Sequence, residues 1–238
     1  KMDETSWNTA TPAFVQGDIG ATPSPLDNAA TTIVSAGITT TAGNSLIIAV
    51  DHDDGCGTTA STITDSNSNS GWTAIFSAVK DNSNGQTLEL FYLPNIVTAG
   101  ASHKVTATLP GSCSFRRMIV HEVSGLNTTS SIDQFGCSAN DAGTAVATGT
   151  NAAGATCTNS TSITTTTDGQ YIFAVAMATN GTNTIAPAAG SLFTERVTES
   201  PASDEMQSQD YIQPSAGAIN STWTFSGTNN SITGIASF

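Results

Sequence analysis

The sequence predicts an all-β protein, a single antiparallel β-sandwich of the jelly-roll type with about 12–14 short strands, stapled by disulfides. Three observations carry this. Short β-rich runs bounded by Gly, Asn, Asp and Pro recur, with turn signals roughly every 8–12 residues. No stretch of about 12 residues spaces its apolar positions by three and four, as a helix would. Four cysteines stand far apart at 56, 113, 137 and 157, with no Cys-x-x-Cys spacing that would read as a zinc or haem site.

The elements follow in order. Residues 1–12 form a separable arm in which Trp7 sits among small polar residues and Pro12 ends the segment. Such an arm either packs on its own sandwich or adds as a strand to the sheet edge of a neighbouring subunit. The domain then runs from 13 to 238. Strands are expected at 13–17, around Phe14-Val15-Gln16, and at 31–38, around Thr32-Ile33-Val34. Gly43-Asn44 turns the chain into 45–51, whose apolar run is Leu46–Val50. An acidic loop, Asp51-His52-Asp53-Asp54-Gly55-Cys56, follows. The segment 59–65 ends at Asp65-Ser66, and 72–79 starts after Gly71. Residues 86–93 alternate, with Leu88 and Leu90 on one face and Glu89 and Phe91 on the other. Further strands are expected at 102–109, 113–123, 161–167, 170–179, 191–198, 206–213, 219–225 and 231–238. In 219–225, Ile219, Ser221, Trp223 and Phe225 share a side.

The stretch 124–160 breaks this rhythm. It is rich in Gly, Ala, Thr, Asn and Ser and offers no convincing strand. A connection that long is functional or held by other means. A Cys137–Cys157 bridge would close about 20 residues and contribute on the order of 3 kcal/mol. The segment reads either as a stapled loop or as a contact surface for a ligand or neighbour.

If successive strands from 45–51 reverse direction, the loops 52–58, 80–85 and 110–112 share one end. The loops 66–71, 94–101 and 124–160 share the other. This places Cys56 beside Cys113 and leaves Cys137 with Cys157.

Composition narrows the partners. Of 238 residues only 11% are charged, against roughly 25% in an ordinary domain. The surface must be built from Thr, Ser, Asn, Gln and Gly, which suits a secreted or cell-surface protein. Six Lys and Arg against 19 Asp and Glu give a net charge of −13. That argues against nucleic acid and against docking on anionic membrane. No apolar run approaches the roughly 18 residues that a membrane span needs, so membrane insertion is not expected. Lys1-Met2-Asp3-Glu4 is not a signal peptide, so export would imply a leader already removed. Asn-x-Ser/Thr sequons at Asn127, Asn159, Asn180, Asn220 and Asn229 matter only in a glycosylating host.

Two segments suggest a structural calcium ion. Asp51, Asp53 and Asp54 precede Gly55, and Asp81-Asn82-Ser83-Asn84-Gly85 resembles the first half of an oxygen-ligand loop without its distant Glu. Asp81 and Asn84 would join the three aspartates at one end of the sandwich. The same residues are also the commonest turn formers. His121 and Glu122 are adjacent on a strand, so they point to opposite faces and cannot form a dyad. Among the remaining acids, Glu89, Glu122, Glu195, Glu199, Asp204 and Glu205, none forms a same-face catalytic pair with strong spacing. Gly-x-Ser-x-Gly is absent. For sugar binding, Tyr211 and Trp7 are the aromatics expected at the surface, with Trp72 and Trp223 in the core. An aromatic content of 6% is thin for a dedicated platform.

Several motifs taken together carry a family likeness: Phe14-Val15-Gln16, Thr41-Ala42-Gly43-Asn44-Ser45-Leu46-Ile47-Ile48, Ile63-Thr64-Asp65-Ser66, Leu90-Phe91-Tyr92-Leu93-Pro94-Asn95-Ile96, Ala99-Gly100 and Val120-His121-Glu122-Val123-Ser124-Gly125-Leu126. Over roughly residues 13–238 the chain resembles a group of exported bacterial jelly-roll domains found in secreted and cell-surface proteins. The resemblance implies the fold and the location. It supplies no catalytic residue, and the Asp51–Cys56 loop and the four cysteines depart from its pattern. The expected function is a non-catalytic extracellular structural or adhesive subunit. It would assemble with copies of itself, or with other surface proteins, into filaments or a surface layer through the N-terminal arm. A carbohydrate-binding module with polysaccharide as partner is the alternative, and a polysaccharide-degrading enzyme the third.

Overall fold

The computed structural model describes residues 11–57, 60–80, 85–129, 131–143, 163–178, 184–200, 204–226 and 229–238. Among them the chain forms strands, turns and one 3-10 turn, with no α-helix. The first half supplies β1 (Ala13–Thr22), β2 (Ala30–Ser35), β3 (Ser45–Asp53), β4 (Thr62–Asp65), β5 (Thr73–Lys80), β6 (Gln86–Leu93), β7 (Val105–Cys113) and β8 (Arg117–Ser124). The second supplies β9 (Gln134–Gly143), β10 (Ile163–Thr164), β11 (Gln170–Ala178), β12 (Ile185–Pro187), β13 (Thr194–Glu199), β14 (Glu205–Gln213), β15 (Ala218–Ile219), β16 (Trp223–Phe225) and β17 (Asn229–Ser237).

The halves make different sheets. β1 to β8 pair in the order β4-β7-β2-β1-β8-β3-β6-β5. Five later strands pair as β13-β14-β11-β17-β9, and two-stranded ribbons β10-β15 and β12-β16 stand apart. All named pairings are antiparallel. The eight-stranded sheet curls, so that Ile33 on β2, Ile63 on β4 and Val105 and Ala107 on β7 meet Leu46, Ile48 and Val50 on β3. The opposite face of β3, with Ile47 and Ala49, joins Leu88, Leu90 and Ile119 against Tyr171, Phe173, Val175 and Met177 of the five-stranded sheet. The far face of that sheet, Ile172, Ala174 and Ala176, lies under Ile185, Ile219, Trp223 and Phe225 from the ribbons.

The molecule is thus four layers around three cores, and both inner sheets are covered on both sides. β6 and β11 are buried at every residue, and β3 from Ser45 to His52. A strand covered on two faces has no reason to alternate, which is why Leu46–Val50 and Tyr171–Ala178 read as continuous apolar runs. Each fully buried Leu, Ile or Phe contributes roughly 1.5–3 kcal/mol, so these strands dominate the stability.

The β-sandwich is as expected, with 17 strands rather than about 12–14. Four local expectations need correction. The stretch 124–160 is not strandless, because β9 runs through it and pairs with β17 from Gln134↔Ser237 to Asn229↔Gly143. Gly, Ala, Asn and Asp are depleted in strands, so Gly136, Ala139, Asn140, Asp141 and Gly143 hide a strand that the ladder imposes. The expected strand 113–123 is instead the end of β7 and all of β8, broken at residues 114–116. There Phe115 takes φ 49°, and Arg116 is buried with its guanidinium donating to the carbonyls of Pro23, Pro25, Asn28 and Thr32. β12 covers three residues for which no strand was expected. β3 extends through Asp53, two residues beyond the expected 45–51, so His52 and Asp53 are strand residues rather than loop residues.

Residues 1–10 lie outside those described, Trp7 among them. Thr11 and Pro12 approach Gly125 so closely that a Cβ there would come within 2.9 Å of the Thr11 carbonyl oxygen. With φ +78° as well, that position requires glycine.

Candidate functional site

Polar chemistry collects at the end of β3. Beyond Asp53 a 3-10 turn, Asp54–Cys56, carries Cys56 to Cys113 at the end of β7. The two form a disulfide with a Cα–Cα distance of 5.0 Å. Cys56 and Cys113 thus meet at one end of the sandwich, as strand reversal predicts. A Cβ on Gly111 would strike the carbonyl oxygen of Cys56, so the loops meet backbone to backbone. Cys137, buried on β9, is also disulfide-bonded, and no cysteine among the described residues is free. Its expected partner Cys157 lies outside the described residues.

Beneath the disulfide lies His52, wholly buried. Its Nε2 is 3.2 Å from Glu89 Oε1. Glu89, also buried, accepts from the Ser61 amide at 2.8 Å and its hydroxyl at 3.0 Å. The other ring nitrogen, Nδ1, is 2.9 Å from the Asp53 carbonyl oxygen and 3.6 Å from Cys56 Sγ. His52, Cys56 and Cys113 are the His/Cys/Asp/Glu group, among the described residues, whose ligand atoms cluster, within 4.8 Å of one another.

Asp51 and Asp53 are the anticipated oxygen ligands whose side chains lie among the described residues. Asp51 points to the opposite face of β3, fully buried, and neither of its oxygens has a hydrogen-bond partner. Asp53 Oδ1 accepts from the Gly55 amide at 2.8 Å, closing the turn. Asp54 lies in the 3-10 turn, and Asp81 and Asn84 lie outside the described residues.

Asp51 belongs instead to a buried charge cluster centred on Arg117. The Arg117 Nη2 donates to Asp27 Oδ1 at 2.6 Å and lies 3.9 Å from Asp204 Oδ2. Burial pushes the Asp51 carboxyl well above its usual range, and Arg117 pulls it only partly back. Glu199 is likewise pushed by burial to about 8, although the Met118 amide donates to it at 2.8 Å. At neutral pH Glu199 holds its proton, while Asp27 and Asp204 face the guanidinium.

A second network crosses the inter-sheet core. His121 Nε2 is 2.7 Å from Ser208 Oγ, and Nδ1 is 3.2 Å from the Tyr171 hydroxyl. Tyr171 donates to Asp210 at 2.9 Å, and Arg196 reaches the other Asp210 oxygen at 2.8 Å. Burial, helped by Arg196, lowers His121 to about 3, so the ring is neutral. Hydroxyl, imidazole and carboxylate in series would suit nucleophilic catalysis, but such a hydroxyl must meet a substrate. Ser208 is 0% exposed, and its Oγ accepts from the Val197 amide at 3.2 Å across the irregular β13–β14 register. Phe14 and Phe173 close the two sides of the imidazole, each centroid at 4.8 Å. The chain ties layers together.

A third network joins loops 66–71 and 94–101, which were expected at one end. Asp65 accepts from the Asn67 and Asn69 amides and from Trp72 Nε1, and lies 3.1 Å from buried His103. Asn69 Oδ1 in turn accepts from Val97 and Thr98. Glu122, on the face opposite His121, accepts from the Thr41 amide at 2.8 Å and Asn44 Nδ2 at 2.7 Å. The motifs noticed in the sequence thus hold one another. Tyr211 is half-buried rather than exposed, its ring centroid 5.8 Å from that of Phe193. Trp223 is buried in the outer core, and Trp72 is half-buried.

Neither charge cluster is legible in the sequence. Their members are scattered from Asp27 to Asp210, and only the sheet order brings them together. The one visible signal was the two-faced burial of β3 and β8, which makes any charge on them an interior charge. The chain matches no family model, no curated protein and no solved structure.

Proposed function

We propose that this chain is a non-catalytic extracellular structural or adhesive subunit, of the exported jelly-roll kind its motifs resemble, that assembles through its N-terminal arm. The observation that carries the reading is the fate of the ionisable groups. All three imidazoles, Asp51, Glu89 and Glu199 are buried, and most are wired into the framework. What is left for the surface is a polar, lysine-poor skin on a disulfide-stapled sandwich. That composition favours durability outside the cell. No helix of the described residues is long and apolar enough to cross a membrane. The half-burial of Tyr211 and Trp72 leaves the sugar-platform reading with less support.

The test is the assembly state. Full-length protein and a variant lacking residues 1–12 are compared by electron microscopy and light scattering. Multimers that vanish on deletion, leaving a folded monomer, support the reading, as does the same loss in Trp7→Ala. A full-length chain that stays monomeric at millimolar concentration refutes assembly. Soluble products released from a polysaccharide would refute the non-catalytic assignment.

A further inference from the structure

We infer that the Cys56–Cys113 corner is a transition-metal site in its reduced form, taking Zn²⁺ through both thiolates and His52. The corner exchanges one staple, a disulfide, for another, a metal.

The geometry is already that of a ligand set. Zinc bound tetrahedrally, with Zn–S about 2.3 Å and Zn–N about 2.0–2.1 Å, holds its nitrogen and sulfur ligands about 3.6 Å apart. His52 Nδ1 and Cys56 Sγ are 3.6 Å apart in the oxidised protein, and Cys113 Sγ lies in the same cluster. The nearest fourth donor is the Asp53 carbonyl oxygen, 2.9 Å from each of those two atoms.

The surroundings of the imidazole point the same way. A histidine that ligates a metal presents one nitrogen to it and gives the other N–H to a carboxylate, which fixes the ring and raises its basicity. His52 has that arrangement, with Glu89 behind Nε2 and the sulfurs ahead of Nδ1. Glu89 is itself anchored by Ser61. Both sides of the ring therefore face acceptors, Glu89 on one and the Asp53 carbonyl on the other.

The steps balance. A dithiol or phosphine reductant delivers two electrons, and the S–S bond becomes two S–H groups with two protons from solvent. Zn²⁺ then displaces both thiol protons, and any proton on Nδ1, as it binds. The sulfurs must part to about 3.8 Å, a small opening for two loop-borne cysteines at the sheet end.

The full chain is reduced under argon, then titrated with Zn²⁺ against a chromophoric chelator and with Co²⁺ by absorption spectroscopy. One equivalent should bind after reduction, and Co²⁺ should give the intense d–d bands and sulfur charge transfer of a tetrahedral thiolate site. Glu89→Gln should weaken Zn²⁺ about 10–100-fold. His52→Gln and the Cys56→Ser/Cys113→Ser double variant should abolish the one-equivalent site, while Cys137→Ser should retain it. A reduced chain that unfolds and then refolds on adding Zn²⁺ supports the site equally. The inference is overturned if reduced and oxidised protein bind the same zinc. It is also overturned if His52→Gln binds as tightly as the parent, or if binding follows Cys137.

Discussion

Glu199 offers the sharpest test of the buried charge cluster. It closes β13, is 3% exposed, and points its carboxyl at the Met118 amide beside the Gly20 backbone. Burial raises it from its ordinary 4.5 to about 8. The unfolded chain releases this proton above about 4.5 while the folded chain retains it, so stability is intact at low pH and is lost as pH rises towards 8. At about 1.4 kcal/mol per unit, the loss is about 5 kcal/mol. Glu199→Gln cannot ionise and still offers the Met118 amide an oxygen. The variant should match the parent at pH 4.5 and exceed it by about 5 kcal/mol at pH 8.5. In a chain of this size that corresponds to about 10–20 °C in melting temperature. Urea denaturation with the disulfides intact, at both pH values, measures the two gaps. Equal gaps at pH 4.5 and 8.5 would mean that Glu199 ionises normally and that its burial is not as described.

Other outcomes follow from the same structure. His121, lowered to about 3, stays neutral while the unfolded chain takes up a proton below 6.5, so stability falls with acidification in that window. His121→Gln should remove that slope, about one proton's worth, in the same titrations. The Cys56–Cys113 bridge spans 57 residues, and loop closure of that length contributes about 4 kcal/mol. Replacing both by serine should lower the urea midpoint accordingly while leaving the far-ultraviolet dichroism of the sheets unchanged. Gly234→Ala would place a Cβ 2.7 Å from the Phe76 ring. It should cost about 1–3 kcal/mol, and Phe76→Leu in the same chain should recover part of that in a double-mutant cycle.

What the sequence disclosed, and what it withheld, follows a physical divide. Strands with one dominant apolar signal, such as Gln86–Leu93 and Gln170–Ala178, were legible because burial leaves its mark on composition. The Cys56–Cys113 bridge was legible through chain reversal alone. β9 was not, because its residues have poor intrinsic preference for a strand and owe their conformation to β17. Asp51 misled for a related reason. An aspartate before Gly55 looks like a turn ligand, and nothing local reveals that β3 continues two residues further between two sheets. The clusters around Arg117 and His121 depend on the sheet order, which places β8 beside β3 and across from β14, a fact no local pattern encodes.

The sharing of sheets between cores has a mechanical consequence. Each inner sheet is a wall common to two compartments, so loosening one compartment strips a face from a wall the next one needs. The chain has no natural fracture plane. The amide protons of β3, β8 and β11 should exchange with solvent only when the whole molecule opens, and at one common free energy. The β12–β16 ribbon, three residues to a strand and facing only one compartment, is where opening should begin. Protease nicking is expected to start there and to release no stable half-molecule.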